Sequence, residues 1–333
     1  MATRHRRGVR AGAIALVLIS ALGMGATPSA SYAYEQTGVV ASFNFDQQLK
    51  NVLRRTNGNA VAVAVQSGRI IGVASRNVSE SSKLHLASIS KVVTASALFK
   101  LADLGRVSLD EPIRKYLPDL FPSGANSKIA EQSVSAFLNH ATGLKSHNFR
   151  AVTSGIDNYK GYAAMASTMK PTTPIGQYAY SNDNYVLLSV LIEEVTKQSF
   201  EAAVHELVWK PLGLDGGYLD VTTHSTQVLG GAGAWVASAF DVAILLNAIN
   251  PQSEGKKLLS ERWLAKMHDR AFSNEYRNGL RYRRGTWGHT GSLARARGAG
   301  VVGSRSTVFV VLSEGNSPAS SDRLFDALVS LNR

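Results

Sequence analysis

The chain has 333 residues, no cysteine, 44% hydrophobic residues and a formal net charge of +12. It is long enough for a large core, in one domain or two interleaved ones, and it has neither disulfides nor a lipoprotein attachment cysteine. The positive charge comes without a nucleic-acid motif, an aromatic-rich basic stripe or a repeat. A solvated surface, or attraction to an anionic envelope polymer, accounts for it better than a nucleic-acid partner.

Residues 1–33 read as an export signal. Arg4, Arg6, Arg7 and Arg10 form a basic start, residues 11–26 an apolar run, and Pro28 breaks the helix. Ser31 and Ala33 supply the small residues a signal peptidase reads, so cleavage is expected after Ala33. The glycines and Pro28 argue against a stable membrane span. Export without disulfides points to a periplasmic or secreted bacterial protein.

Residues 43–55 then show helical spacing and stop at Asn57-Gly58. Residues 59–66 alternate small and apolar side chains, Ser67-Gly68-Arg69 reads as a hairpin turn, and residues 70–74 as the return strand. Residues 86–105 form the stretch on which the rest is organised. Ser88 stands at the front of an alanine-rich helical run that Gly105 closes, and Lys91 follows three residues later. Positions three apart share a helix face, so the amine reaches the hydroxyl. A helix start adds free backbone N–H groups and positive partial charge, the setting an acyl-transfer nucleophile needs. Alone the pattern is weak: Ser253-x-x-Lys256 repeats it in what reads as a polar surface loop.

Further on, residues 110–118 suggest a capped helix and residues 134–140 a short amphipathic one. Residues 145–177 read as loop-rich and are the expected cover of a cleft. Residues 185–195 are apolar almost all round, which predicts a buried helix. Residues 200–209, 241–249, 260–267 and 321–331 have helical spacing, and 230–235 is a glycine-rich turn. Residues 287–294, 299–304 and 307–313 read as strands. Strand-forming segments lie at both ends and helices between them, which predicts one sheet assembled from the two ends.

Three motifs stand in order: Ser88-x-x-Lys91, Tyr180-x-Asn182 and His289-Thr290-Gly291. With Asn139-His140-Ala141-Thr142-Gly143-Leu144 and Pro211-Leu212-Gly213-Leu214, they resemble the serine β-lactamase and penicillin-binding-protein superfamily. The likeness is greatest to the branch of class C β-lactamases, D-alanyl-D-alanine carboxypeptidases and related serine esterases. It implies a β-lactamase/transpeptidase-like fold: a mainly antiparallel sheet flanked by helices, with an all-helical subdomain. The hydrolase domain would span 34–333, with 96–224 as the helical insert and the site in the cleft between.

The resemblance also implies roles. Ser88 is the expected nucleophile, and Lys91 and Tyr180 share the base work. Asn182 is expected to bond the substrate carbonyl or the Lys91 ammonium. His289 and Thr290 are expected beside the substrate, and the backbone N–H groups of Ser88 and Ser292, the latter following Gly291, form the oxyanion hole. A phenol has an ordinary pKa of about 10, so base work by Tyr180 requires neighbouring positive charge. Taken singly, Tyr180 reads as a core tyrosine, His289 as a lone strand histidine and His140 as a loop-shaping residue. No metal and no cofactor is expected, since the histidines lack ligand spacing and no phosphate-binding glycine loop occurs.

Two departures from the family stand out. Lys197 replaces a turn glycine, and Arg295 and Arg297 replace a Pro-Gly pair after the third motif. Arg277, Arg281, Arg283 and Arg284 precede that motif, and one of the six is a candidate to bind a substrate carboxylate. Alternation on a strand puts Arg295 and Arg297 on one face. The leading expectation is a carboxypeptidase-type peptidase on small cell-wall peptides. The alternatives are a β-lactamase opening penicillin or cephalosporin amides, an esterase, and a non-catalytic penicillin- or wall-binding module.

Overall fold

A computed structural model describes residues 44–122, 127–269, 275–303, 306–316 and 318–331. All lie in the unit Thr37–Arg333. The expected export signal and its cleavage point lie outside the described residues.

The strands are β1 (Asn59–Gln66), β2 (Arg69–Arg76), β3 (Lys83–His85), β4 (Tyr218–Leu219), β5 (Trp235–Ser238), β6 (Tyr276–Arg277), β7 (Leu280–Arg283), β8 (Thr286–Leu293), β9 (Ala296–Val302) and β10 (Thr307–Glu314). The helices that matter for the site and the core are α1 (Phe45–Leu53), α2 (Ser90–Asp103), α3 (Val134–Leu138), α4 (Asn148–Thr153), α5 (Tyr159–Ser167), α6 (Asn182–Thr196), α7 (Ala239–Ala248) and α8 (Ser321–Ser330). Seven strands form one sheet in the order β2-β1-β10-β9-β8-β7-β6, every pair antiparallel. The two ends of the chain meet where β1 pairs with β10, as the distribution of strand-forming segments predicts.

Period-two alternation divides the core between the two faces of this sheet. On one face Ala60, Ala62 and Ala64 of β1 join Phe309 and Val311 of β10 under α1 and α8. The small residues let α1 come close: a Cβ added at Gly72 of β2 would lie 2.7 Å from the Phe45 Cβ. On the other face Val61, Val63 and Val65 pair with Leu312, Val310 and Val308, beneath α2 and α7. A one-residue slip of β1 would exchange its valines for its alanines on both faces, so the pattern itself sets the register.

Three differences from the sequence expectations bear on the site. Residues 145–177 contain two helices, α4 and α5. Both are short, α4 has two β-branched residues and α5 a glycine, so propensity is low and packing supplies the rest. The capped helix expected at 110–118 is a single turn, Ile113–Lys115. A second sheet, in the order β3-β5-β4, was not legible because its strands are two to four residues long. Lys197 ends α6 in the left-handed region at φ 57, which is why a glycine suits that turn.

The small sheet delivers the chain to Ser88. His85 of β3 is clamped between two carboxylates, with Nδ1 2.6 Å from Glu314 Oε1 and Nε2 2.9 Å from Asp220 Oδ2. The hydrogen bond to Glu314 is the largest cause of a His85 pKa raised to about 9, burial opposing it. Because the folded value is the higher one, the stabilisation is fully present below the ordinary value near 6.5 and is lost as pH rises through about 9. The melting temperature is therefore expected to fall between pH 7 and 10 by more in the native protein than in His85→Gln. Parallel curves would overturn this.

Candidate functional site

Ser88 lies in a single 3-10 turn, Ala87–Ile89, that runs straight into α2. The turn starts from Ala87 at φ 47, a left-handed conformation that is uncommon for a non-glycine residue. It leaves Ser88 half-buried between buried Ala87 and Ile89. Strand β8 faces this turn. Its pairing with β7 ends at Gly288, so residues 289–293 present an edge free of any strand partner among the described residues. A Cβ at Gly291 would lie 2.3 Å from the Leu86 carbonyl oxygen, and only a glycine permits the approach. Ser292, the next residue, is exposed on that edge. Gly291→Ala is expected to push β8 off the turn and to lower turnover by about 10²–10³-fold, the size of effect seen when an oxyanion donor is lost. Turnover within about twofold of native would show that the approach is not needed.

Lys91 is wholly buried, one turn along α2 from Ser88. Its Nζ lies 3.4 Å from Ser88 Oγ, 2.8 Å from Asn182 Oδ1 and 2.6 Å from the Ala232 carbonyl oxygen. Burial pushes its pKa well below the ordinary 10.5. A neutral amine has two N–H donors and one lone pair. The two short contacts take the donors, and the lone pair is left for the Ser88 hydroxyl.

Ser88 pulls the pKa of the Tyr180 phenol down. Burial nonetheless dominates its titration and holds the phenol above its ordinary value, Arg281 adding a weaker downward pull than Ser88. With 38% of the residue open to solvent, the upward push is weaker than full burial would give. The expected lowering by neighbouring positive charge is thus outweighed, and of the two base candidates Lys91 is the one shifted towards its basic form. Asn182, the first residue of α6, accepts from Lys91 and lies with its Nδ2 3.4 Å from Asn148 Oδ1 of α4. Its backbone N–H donates to Ser146 Oγ at 2.7 Å. The stretch expected to be a covering loop is thereby fastened to the Tyr180–Asn182 motif.

His289 is only 2% exposed and faces inward, with Nε2 3.3 Å from the Tyr276 hydroxyl and Nδ1 2.6 Å from the Thr290 carbonyl. Burial lowers its pKa to about 3. Its side chain is therefore a neutral support behind the β8 edge. Thr290 Oγ1 accepts from Arg281 Nη1 at 2.6 Å, and Arg281 also pairs with Asp322 at 3.1 Å.

The other arginines are placed differently. Arg277 is buried over the Tyr282 ring, and Arg283 and Arg284 pair with Asp326. Arg295 sits in the hairpin turn between β8 and β9, outside both strands, so alternation does not put it on one face with Arg297. Arg297 folds back onto the carbonyls of Ala294 and Ala296.

The Ala232 carbonyl and Tyr276 were not picked out from the sequence, and His140, read there as loop-shaping, has its ring 4.4 Å from that of Tyr180. The motif context of His140 was the only signal available. The second Ser-x-x-Lys copy has another use. Ser253 Oγ donates to the Asn247 carbonyl at 2.6 Å and meets Lys257, not Lys256, at 2.8 Å. Together they cap the carbonyl end of α7. Among the described residues no group of three or more His, Asp or Glu is arranged to hold a metal ion.

Known proteins resemble this chain in sequence and fold. The family model described as Beta-lactamase matches residues 45–331. Esterase EstB of Burkholderia gladioli is 29% identical over 196 residues, 51% of this chain and 48% of EstB. The chain spans less than half the length of the curated relatives it matches. Among solved structures, a class C beta-lactamase from Rhodobacter sphaeroides superposes with a TM-score of 0.66 at 19% identity, covering 86% of this chain and 97% of that one. A D-stereospecific amidohydrolase from Streptomyces sp. gives 0.65 at 23%, covering 84% and 96%. The expected β-lactamase/transpeptidase-like fold is the observed one.

Proposed function

Because this chain belongs to the beta-lactamase family, we propose that it is a serine hydrolase that acylates Ser88 and removes the C-terminal residue of D-alanyl-D-alanine-type cell-wall peptides. The observation that carries this reading is the contact of Arg281 with Thr290. It sets a guanidinium beside the free edge of β8, where a substrate's terminal carboxylate can be bound in two-point fashion.

In this mechanism Ser88 Oγ attacks the scissile carbonyl and its proton passes to the Lys91 amine. The backbone N–H groups of Ser88 and Ser292 stabilise the oxyanion. Tyr180 protonates the departing amine as the C–N bond breaks, and Lys91 then returns its proton to the phenolate. Water repeats the sequence on the acyl-enzyme and releases Ser88. We also propose export after removal of residues 1–33, with the basic surface drawn to anionic wall polymer.

The test is intact-protein mass after mixing with a fluorescent penicillin, followed by a D-Ala-D-Ala peptide assay. A lasting adduct with release of D-alanine supports the proposal. Rapid loss of the penicillin without an adduct indicates a β-lactamase instead. A second reading, an esterase, is supported by Asp322, which already neutralises part of the Arg281 charge. Turnover of simple esters without peptide cleavage favours it. No adduct and no turnover of any of these substrates leaves a non-catalytic module.

A further inference from the structure

His140 carries two costs at once and the mechanism above uses neither. Its backbone is held at φ 54, in the left-handed region. Its side chain is fully buried, and Nε2 has no hydrogen-bond partner among the described residues. Nδ1 lies 3.1 Å from the Ser181 backbone nitrogen, whose N–H donates to it, and 3.2 Å from Asn184 Nδ2. The Asn184 amide is oriented by Thr142, whose hydroxyl donates to Asn184 Oδ1 at 2.7 Å. Nδ1 is therefore an acceptor twice over, and a neutral imidazole carries its proton on the orphaned Nε2.

The ring stays neutral, because burial lowers its pKa well below 6.5. It is enclosed by Tyr180, Tyr276, Tyr185 and Tyr178 at ring-centroid distances of 4.4, 4.8, 5.2 and 6.1 Å. The titratable groups around it are these four phenols, Lys91 and His289. Each phenol is held neutral by burial. A buried N–H with no partner in the resting state calls for a reason, and a charge that develops beside it during the reaction supplies one.

We propose that the Nε2–H of His140 stabilises the negative charge Tyr180 acquires when it gives its proton to the leaving group, which makes His140 a positioning residue for that step. The inference rests on the acyl-transfer reading of Ser88 and Tyr180. It predicts an effect that depends on the leaving group, since only a poor leaving group needs the Tyr180 proton. His140→Asn is the informative variant. Asparagine accepts the left-handed backbone and keeps an oxygen for the Ser181 N–H, but has no donor at the Nε2 position.

The experiment compares native protein and His140→Asn on p-nitrophenyl acetate and on ethyl acetate. The expected result is a loss of about tenfold or more on the alkyl ester and of about threefold or less on the nitrophenyl ester, with part of the loss restored in His140→Gln. Equal losses on both esters, or none, would overturn the proposal.

Should His140→Asn fail to fold, His140→Gly suits φ 54 and opens a ring-sized space. Rescue of alkyl-ester turnover by imidazole but not by oxazole, which lacks the N–H, supports the proposal. Equal rescue by both, or none by either, overturns it. Identical behaviour of native protein and Ser88→Ala on both esters, on the fluorescent penicillin and on the D-Ala-D-Ala peptide would instead overturn the acyl-transfer reading, and this inference with it.

Discussion

Ser88→Ala is expected to form no penicillin adduct and to lose turnover by a factor on the order of 10⁶, the scale on which removal of a serine nucleophile acts. The fold should be untouched. Ser88 sits in a one-turn segment, and its hydroxyl makes the longest of the three Lys91 contacts, 3.4 Å, while Asn182 and Ala232 keep the amine in place. Deleting one hydroxyl at a half-buried position changes stability by about 1 kcal/mol or less. Loss of the adduct at an unchanged melting temperature thus isolates the chemistry. An adduct forming at the native rate would move the nucleophile elsewhere, and peptide mapping of the labelled protein would locate it.

Lys91→Arg should cost about 10²–10⁴-fold in acylation, the contribution of a positioned general base. Arginine keeps the donors but stays charged and cannot lose its proton at any working pH. The native protein should lose activity as pH falls through the lowered Lys91 pKa, because a protonated amine has no lone pair for the Ser88 proton. The arginine variant should show low activity and no such acid limb. Its larger side chain in a fully buried site also costs about 1–3 kcal/mol in packing, so acylation must be measured below its melting temperature. If the variant acylates within about tenfold of native with the same acid limb, the base is Tyr180 and the upward push of burial on that phenol is overcome during the reaction.

The sequence carried the local half of this site. Three-residue spacing puts Lys91 beside Ser88, because helical geometry is a property of neighbouring residues. Alternation in residues 59–66 set both faces of β1 and its register against β10. The buried α6 was legible from its largely apolar run, and it begins at Asn182, three residues before that run. Very short strands and short helices were not legible. β3, β4 and α4 owe their existence to partners far along the chain rather than to their own propensities.

What the sequence alone determined is which groups exist and which of them share a turn: a serine and a lysine on one helix face, a tyrosine just ahead of another helix, a glycine in a strand. What only the tertiary structure decided is which of several equivalent-looking groups matter. Six arginines were candidates, and packing brought Arg281 alone of them to Thr290. Two Ser-x-x-Lys copies were present, and burial beside Asn182 and Ala232 distinguishes one while helix carbonyls occupy the other. Lysine and tyrosine were equal candidates for the base, and desolvation moves them in opposite directions, one towards the neutral amine and the other towards the neutral phenol. Desolvation and long-range contact depend on what the rest of the chain brings to a residue, and spacing along the sequence does not encode that.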